Sequence, residues 1–232
     1  MMLSTYEYQA IELSLKVAIY TVIWLLPAGV LLGWLLARHQ FMGKRFLDSV
    51  VHLPLVLPPV VVGYLLLLNF GRASPLGGWL YQHMGVVFSF NWKGAVLASS
   101  VVALPLMVRS IRLAVESVDQ DLEQAAATLG AGKMKVFYTI TLPLMLPGIL
   151  TGSMLSFARS LGEFGATMTF VSNIPGVTQT IPLAMYNYIQ TPGEEMQAAS
   201  LCLISVSIAL LSLLVSDWLA KRARRRLGVR TP

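Results

Sequence analysis

The sequence predicts an all-α integral membrane protein with about five transmembrane helices, and three observations carry that expectation. Of its 232 residues 56% are hydrophobic and only 12% charged, against about a quarter charged in an ordinary soluble domain. Several apolar runs exceed what a globular core uses, and together they consume most of the chain. The 17 basic residues fall mainly between or after those runs, where membrane proteins carry them. A water-soluble enzyme is excluded on these grounds, and residues 1–232 are expected to form a single membrane domain.

The first span runs from about Val17 to Ala37, preceded by Glu7, Glu12 and Lys16 and followed by Arg38, His39, Lys44 and Arg45. It lacks the basic start, shorter apolar core and small-residue cleavage site of a secretory signal, so it is expected to remain as a helix with its N-terminus outside. The second stretch, Val50 to Phe70, is long enough at about 1.5 Å per residue to cross a core of roughly 30 Å. Pro54, Pro58 and Pro59 require it to be kinked or broken, and the backbone groups freed there must be satisfied by protein or water rather than acyl chains. Residues 71–93, with Pro75, Gly77, Gly78 and Asn91 among the aromatic residues Trp79, Tyr81 and Trp92, predict a polar outer link.

A third span is expected only over Gly94–Val108, with Lys93 and Arg109 snorkelling at its ends. From Ser110 to Thr141 the pattern turns amphipathic and predicts a cytoplasmic helical excursion. The fourth span is placed from about Leu142, with Pro143 and Pro147 near its start, to Phe157 or Leu161. Glycine and proline cut residues 162–195 into short pieces, which predicts a partly buried outer segment, with a sixth crossing as the alternative. The last span, Met196–Ala220, carries small Ser and Ala residues spaced as in membrane helix interfaces.

Orientation follows from charge. On this scheme Arg38, Lys44, Arg45, Arg109, Arg112, Lys133, Lys135 and the basic tail 221–232 all lie on the cytoplasmic side, whereas Lys16, Arg72, Lys93 and Arg159 lie towards the outside. The tail, with Lys221, Arg222, Arg224, Arg225 and Arg226 directly after an apolar run, suits anionic membrane lipid rather than nucleic acid. The lone Cys202 permits no intrachain disulfide or cysteine metal cluster. His39, His52 and His83 are not at metal-ligand spacing from one another, so no metal site is expected. Gly132-Lys133 is not a phosphate loop, because Ala127 and Met134 stand where glycine and Ser/Thr are required.

The long inner loop, about 113–141, contains Glu123, Gln124, Ala125, Ala126 and Gly130, then nine residues, then Ile140, Thr141, Leu142 and Pro143. This resembles the coupling-loop signature of ABC importer permeases, Glu-Ala-Ala, three residues, Gly, nine residues, Ile, one residue, Leu-Pro. The departure is Gln124 at the signature's acidic position, with the acid one place earlier at Glu123. Small alanines let a partner's groove close around a short helix, and Gly130 permits the positive φ that turns the chain out of it. The resemblance implies a type I ABC importer permease fold, with a coupling helix that inserts into a cleft of a separate ATPase subunit.

Two further stretches, Leu53 to Tyr64 and Arg159 to Tyr186, resemble the molybdate and sulfate branch of these permeases; the second, with Asn173-Ile174-Pro175-Gly176, points to molybdate. That resemblance implies molybdate and tungstate as substrates, with sulfate or thiosulfate as the alternative. It also implies location in the cytoplasmic (inner) membrane, a homodimer of this chain, two ABC ATPase subunits inside that bind ATP and Mg, and a periplasmic or extracellular molybdate-binding protein outside. No cofactor is expected in this chain. Pairing has a physical reason too, since five helices supply too few walls to enclose and gate a hydrophilic path. An ion channel or secondary transporter would have no use for the coupling signature.

Within the later spans Arg159 and Glu163, four apart on a helical stretch, can pair as a structural or a gating element. Ser156, Ser160, Thr167 and Thr169 are candidates for a weak hydroxyl lining of the path. No catalytic residue is expected, because a membrane-embedded enzyme would need further paired ionisable groups within the spans.

Overall fold

The computed structural model describes the backbone of residues 4–226 and the side chains of residues 4–222. The basic tail therefore lies partly outside the described residues. Among the described residues all regular structure is helical. Helix α1 (Thr5–Arg38) begins a dozen residues before the expected apolar stretch, for two local reasons. Ser4 and Glu7 form a reciprocal capping box, the Glu7 amide donating to Ser4 Oγ at 3.2 Å and the Ser4 amide to Glu7 Oε2 at 2.6 Å. The polar first turns are also used in tertiary contacts: Ser200 Oγ donates to Glu7 Oε1 at 2.9 Å and the Ile181 amide to Ser14 Oγ at 2.7 Å.

The second stretch is broken, as its prolines require. Helices α2 (Lys44–Val56) and α3 (Pro59–Phe70) meet at Leu57-Pro58 with a bend of 115°. Pro58 and Pro59 both lack an amide hydrogen, whereas Pro54 sits inside α2 without ending it. Neither half, at about 1.5 Å per residue, crosses the apolar core of a bilayer alone. The outer link is more ordered than expected, because Ser74 caps α4 (Pro75–Met84), accepting the Gly77 amide at 3.0 Å, with Pro75 in the first turn.

Two boundaries in the middle of the chain differ from expectation. Helix α5 (Trp92–Glu116) does not stop at Val108 but runs through Arg109 and Arg112. Ile111 and Val115 keep its inner face buried, and Arg112 is neutralised by Glu116 at 2.8 Å and by Asp48 of α2 at 3.1 Å. After α6 (Gln120–Thr128), the fourth span starts at Lys133 rather than Leu142: α7 (Lys133–Val136), a π-turn (Phe137–Thr141) and α8 (Leu142–Leu161) follow without a gap. Pro143 is thus interior to a longer helical path. It cannot donate to the Thr139 carbonyl and its ring crowds that group, which the wide π-turn just before it accommodates.

Residues 162–195 hold α9 (Gly165–Val171) and α10 (Ile181–Gln190), both too short to cross, so the alternative sixth crossing falls away. Helix α11 (Glu195–Arg226) is the last element among the described residues. Among the described residues four helical stretches are long and apolar enough to span a membrane, and the bent α2–α3 pair makes five if it counts as one. One core cluster is built where α1, α5 and α8 meet, around Leu25, Ala103, Met107, Ile111, Val115, Met145 and Ile149, and another where α1, α3, α5 and α9 meet, around Val17, Val62, Ala98, Ala166 and Phe170. Gly33 lets α1 approach α5 closely, since a Cβ there would lie 2.8 Å from Ile111 Cγ2. Helix α11 leaves Leu203, Leu210, Leu214 and Trp218 exposed, as a surface for lipid or a partner demands.

Candidate coupling face and buried ion pair

Helix α6 is short, acidic at its start and solvent-facing. Asp119 Oδ1 accepts the Asp121 amide at 2.9 Å, and Asp121 and Glu123 place negative charge on the first turn. No residue of α6 is buried. Its end is a Schellman turn: Gly130 has φ +85°, its amide donates to Ala127 at 3.0 Å, and the Ala131 amide reaches back to Ala126 at 3.0 Å. At the cap of that turn Leu129 stands 89% exposed, with Leu122 of the helix and Met134 beyond the turn also in solvent.

The signature residues divide into two groups. Gln124, Ala125 and Gly130 are exposed and Ala126 half-buried on the projecting tip, whereas Ile140, Leu142 and Pro143 are half-buried at the root, where Leu142 packs against the α1–α5–α8 core. Glu123 turns inward. Its Oε1 accepts from Thr141 Oγ1 at 2.6 Å and from Arg38 Nη2 at 3.2 Å, and the same Arg38 nitrogen donates to the Val118 carbonyl at 3.0 Å. Neither Arg38 nor Thr141 is a site residue by sequence: Arg38 reads only as a cytoplasmic charge, and Thr141 is the variable residue between Ile140 and Leu142.

A second cluster lies at the other end of α8. The helix ends at Leu161, so Glu163 is not on the same helix as Arg159, yet the two pair across its end at 2.8 Å. Glu163 is 1% exposed and Arg159 29%. The other carboxylate oxygen accepts the Ala166 amide at 2.8 Å, in the first turn of α9. The hydroxyl candidates separate here. Ser156 Oγ donates to the Ala103 carbonyl of α5 at 3.5 Å, and Ser160 Oγ to Thr21 Oγ1 of α1 at 3.4 Å, so both are engaged between helices. Thr167 is buried and bonds to the Phe164 carbonyl at 2.9 Å; Thr169 is half-buried and bonds to Gly165 at 2.9 Å.

Among the described residues no group of three or more His, Cys, Asp or Glu could hold a metal ion. The three histidines are local packing and polar residues: His39 against Trp34, His83 stacked on Trp79, and His52 beside Asp48. The sequence profile of binding-protein-dependent transport system inner membrane components covers residues 29–229. The chain belongs to that family. Molybdenum transport system permease protein ModB of Escherichia coli (strain K12) is 62% identical over 228 residues, 98% of this chain and all of the relative. ModB of Haemophilus influenzae is 61% identical over 222 residues, 96% of this chain and 97% of the relative. A crystal structure of a bacterial ABC transporter involved in import of the acidic polysaccharide alginate has the same fold, with TM-score 0.74 at 17% identity over 94% of this chain and 80% of that one.

A binding-protein-dependent permease is a multi-pass inner-membrane transport subunit, not an enzyme. The type I importer fold suggested by the coupling signature is the fold found.

Proposed function

We propose that this permease passes molybdate, and with it tungstate, into the cytoplasm in an ATP-driven importer. The observation that carries the reading is 62% identity across nearly the whole chain to a permease named for molybdenum transport; the exposed tip of α6 and its Gly130 turn supply the mechanical part. In this reading the chain works as a homodimer, with α6 of each copy seated in a cleft of an ABC ATPase subunit that binds ATP and Mg. A periplasmic or extracellular molybdate-binding protein delivers substrate. The N-terminus is outside and the C-terminus cytoplasmic, as the placement of basic residues supports.

The pathway is proposed where α3, α8 and α9 meet, with Arg159 and Thr169 as its half-exposed polar groups. Glu163 serves there through Arg159 and not by touching the oxyanion, since like charges repel. Molybdate, tungstate and sulfate are all tetrahedral dianions, so charge alone does not separate them, and selection falls mainly to the binding protein. A conduit must also bind weakly enough to release. In a permease-deleted strain supplied with this chain, uptake of molybdate is expected to return; return of sulfate or thiosulfate uptake without molybdate would overturn the substrate.

The coupling assignment has its own test. Gly130→Val places a β-branched residue at φ +85°, which costs about 1–3 kcal/mol locally and forces the tip to refold. Reconstituted with ATPase subunits and binding protein, this variant is expected to lose substrate-stimulated ATP hydrolysis and transport while remaining inserted in the membrane. Wild-type values for both would remove α6 from the coupling role.

A further inference from the structure

We propose that Glu123 is a positioning residue that ties the coupling helix to the ends of two membrane helices at once, with Arg38 and Thr141 as its partners. The inference rests on the coupling role proposed for α6. It gives the acidic residue an inward task instead of a contact with the ATPase subunit.

Helix α6 buries none of its residues, so apolar packing does not anchor it. Its other side-chain bonds are local: Asp119 caps its own helix, and Thr128 Oγ1 returns to the Ala125 carbonyl at 2.8 Å. Among the described residues, the link from an α6 side chain to the membrane bundle is the Glu123 carboxylate. Its Oε1 takes a 2.6 Å bond from Thr141 Oγ1, at the last residue of the π-turn leading into α8, and a 3.2 Å bond from Arg38 Nη2, at the last residue of α1. Arg38 and Glu123 are 11% and 22% exposed, so the contact is shielded from the water and salt that weaken surface pairs.

The geometry makes the tie directional. Arg38 also holds the Val118 carbonyl, so one guanidinium joins the end of α1 to both the α5–α6 junction and α6 itself. A displacement of the tip then reaches α1 and α8 together, through two charge-assisted bonds converging on one oxygen. Without the carboxylate the tip would remain attached by backbone at both ends and free to tilt against the bundle. An ATPase subunit could still grip it, but part of its stroke would be spent on that tilt.

The test uses the full complex of permease, ATPase subunits and binding protein in proteoliposomes, and reads ATP hydrolysed per molybdate imported. Loss of a charge-assisted bond in a shielded site predicts that Glu123→Ala raises this ratio about tenfold or more, with the ATPase subunits still co-purifying. Thr141→Val, nearly isosteric, should raise it by a smaller factor, and the Arg38→Glu/Glu123→Arg exchange should bring it back towards wild type although each single reversal does not. An unchanged ratio in Glu123→Ala and Thr141→Val overturns the proposal, and so does loss of the ATPase subunits from Glu123→Ala, which would make Glu123 a docking contact. The underlying coupling reading fails separately, if Gly130→Val transports normally.

Discussion

Replacing Arg159 with alanine is expected to lower the apparent melting temperature of the purified permease by roughly 6–12 °C, because removing one partner of a buried ion pair costs about 3 kcal/mol or more. The carboxylate left behind is 1% exposed and sits 2.8 Å from the lost guanidinium nitrogen. Its remaining bond, from the Ala166 amide, orients it without neutralising it. Arg159→Ala/Glu163→Gln should recover part of the loss, since the amide keeps an acceptor for Ala166 and removes the unpaired charge. Glu163→Ala alone should fall between them: it leaves a guanidinium that is partly hydrated, but orphans the Ala166 amide. Thermal unfolding of the three variants decides the matter, and a stable Arg159→Ala would show that the pair does not hold the α8–α9 junction together.

The second large effect is expected at Gly63. A Cβ built there lies 2.6 Å from the Ala166 carbonyl oxygen and 2.9 Å from both Ala166 Cα and Thr169 Cβ. Two of the three are backbone atoms, so no rotamer change relieves the clash and α3 must move away from α9. Overpacking of this kind costs about 1–3 kcal/mol, and more when backbone must shift. Gly63→Val is therefore expected to abolish molybdate uptake, with Gly63→Ala intermediate. Gly78→Ala is the control, because its nearest neighbour, the Arg72 carbonyl oxygen, lies 3.5 Å away, an ordinary contact. Uptake normalised to permease level in the membrane measures this, and normal transport by Gly63→Val would mean that α3 and α9 need not stay in contact.

These two sites mark the border of what is legible in the sequence. The broken second stretch is readable because its cause is local: two adjacent residues without amide hydrogens. The turn at Gly130 is readable for the same reason, as a residue type suited to a backbone angle. The far end of α5 is not, because Arg109 reads as a terminus, and the continuation through Arg112 makes sense only once Asp48, from a different helix, is seen to neutralise Arg112. The start of the fourth span is hidden in a similar way, since the proline that ordinarily opens a helix is absorbed by the π-turn. Glu123 is the sharpest case. It stands one place before the signature, where an acid draws attention, while its partner Arg38 lies 85 residues earlier and is visible only after folding. The Arg159–Glu163 pair, which helical spacing predicts within one helix, forms across a helix end instead.

The π-turn gives the length of the signature a geometric meaning. A π-turn takes up one residue more than an α-turn over the same path, and each residue of an α-helix advances the direction of its side chains by about 100°. The five residues Phe137–Thr141 therefore fix the compass bearing of everything on the Lys133 side relative to α8. One residue fewer would leave a membrane segment just as apolar, but with Pro143 set against an ordinary α-turn and the tip swung away from the side on which it now projects. The nine residues between Gly130 and Ile140 are thus a protractor as much as a spacer, and their number matters even where their identities do not.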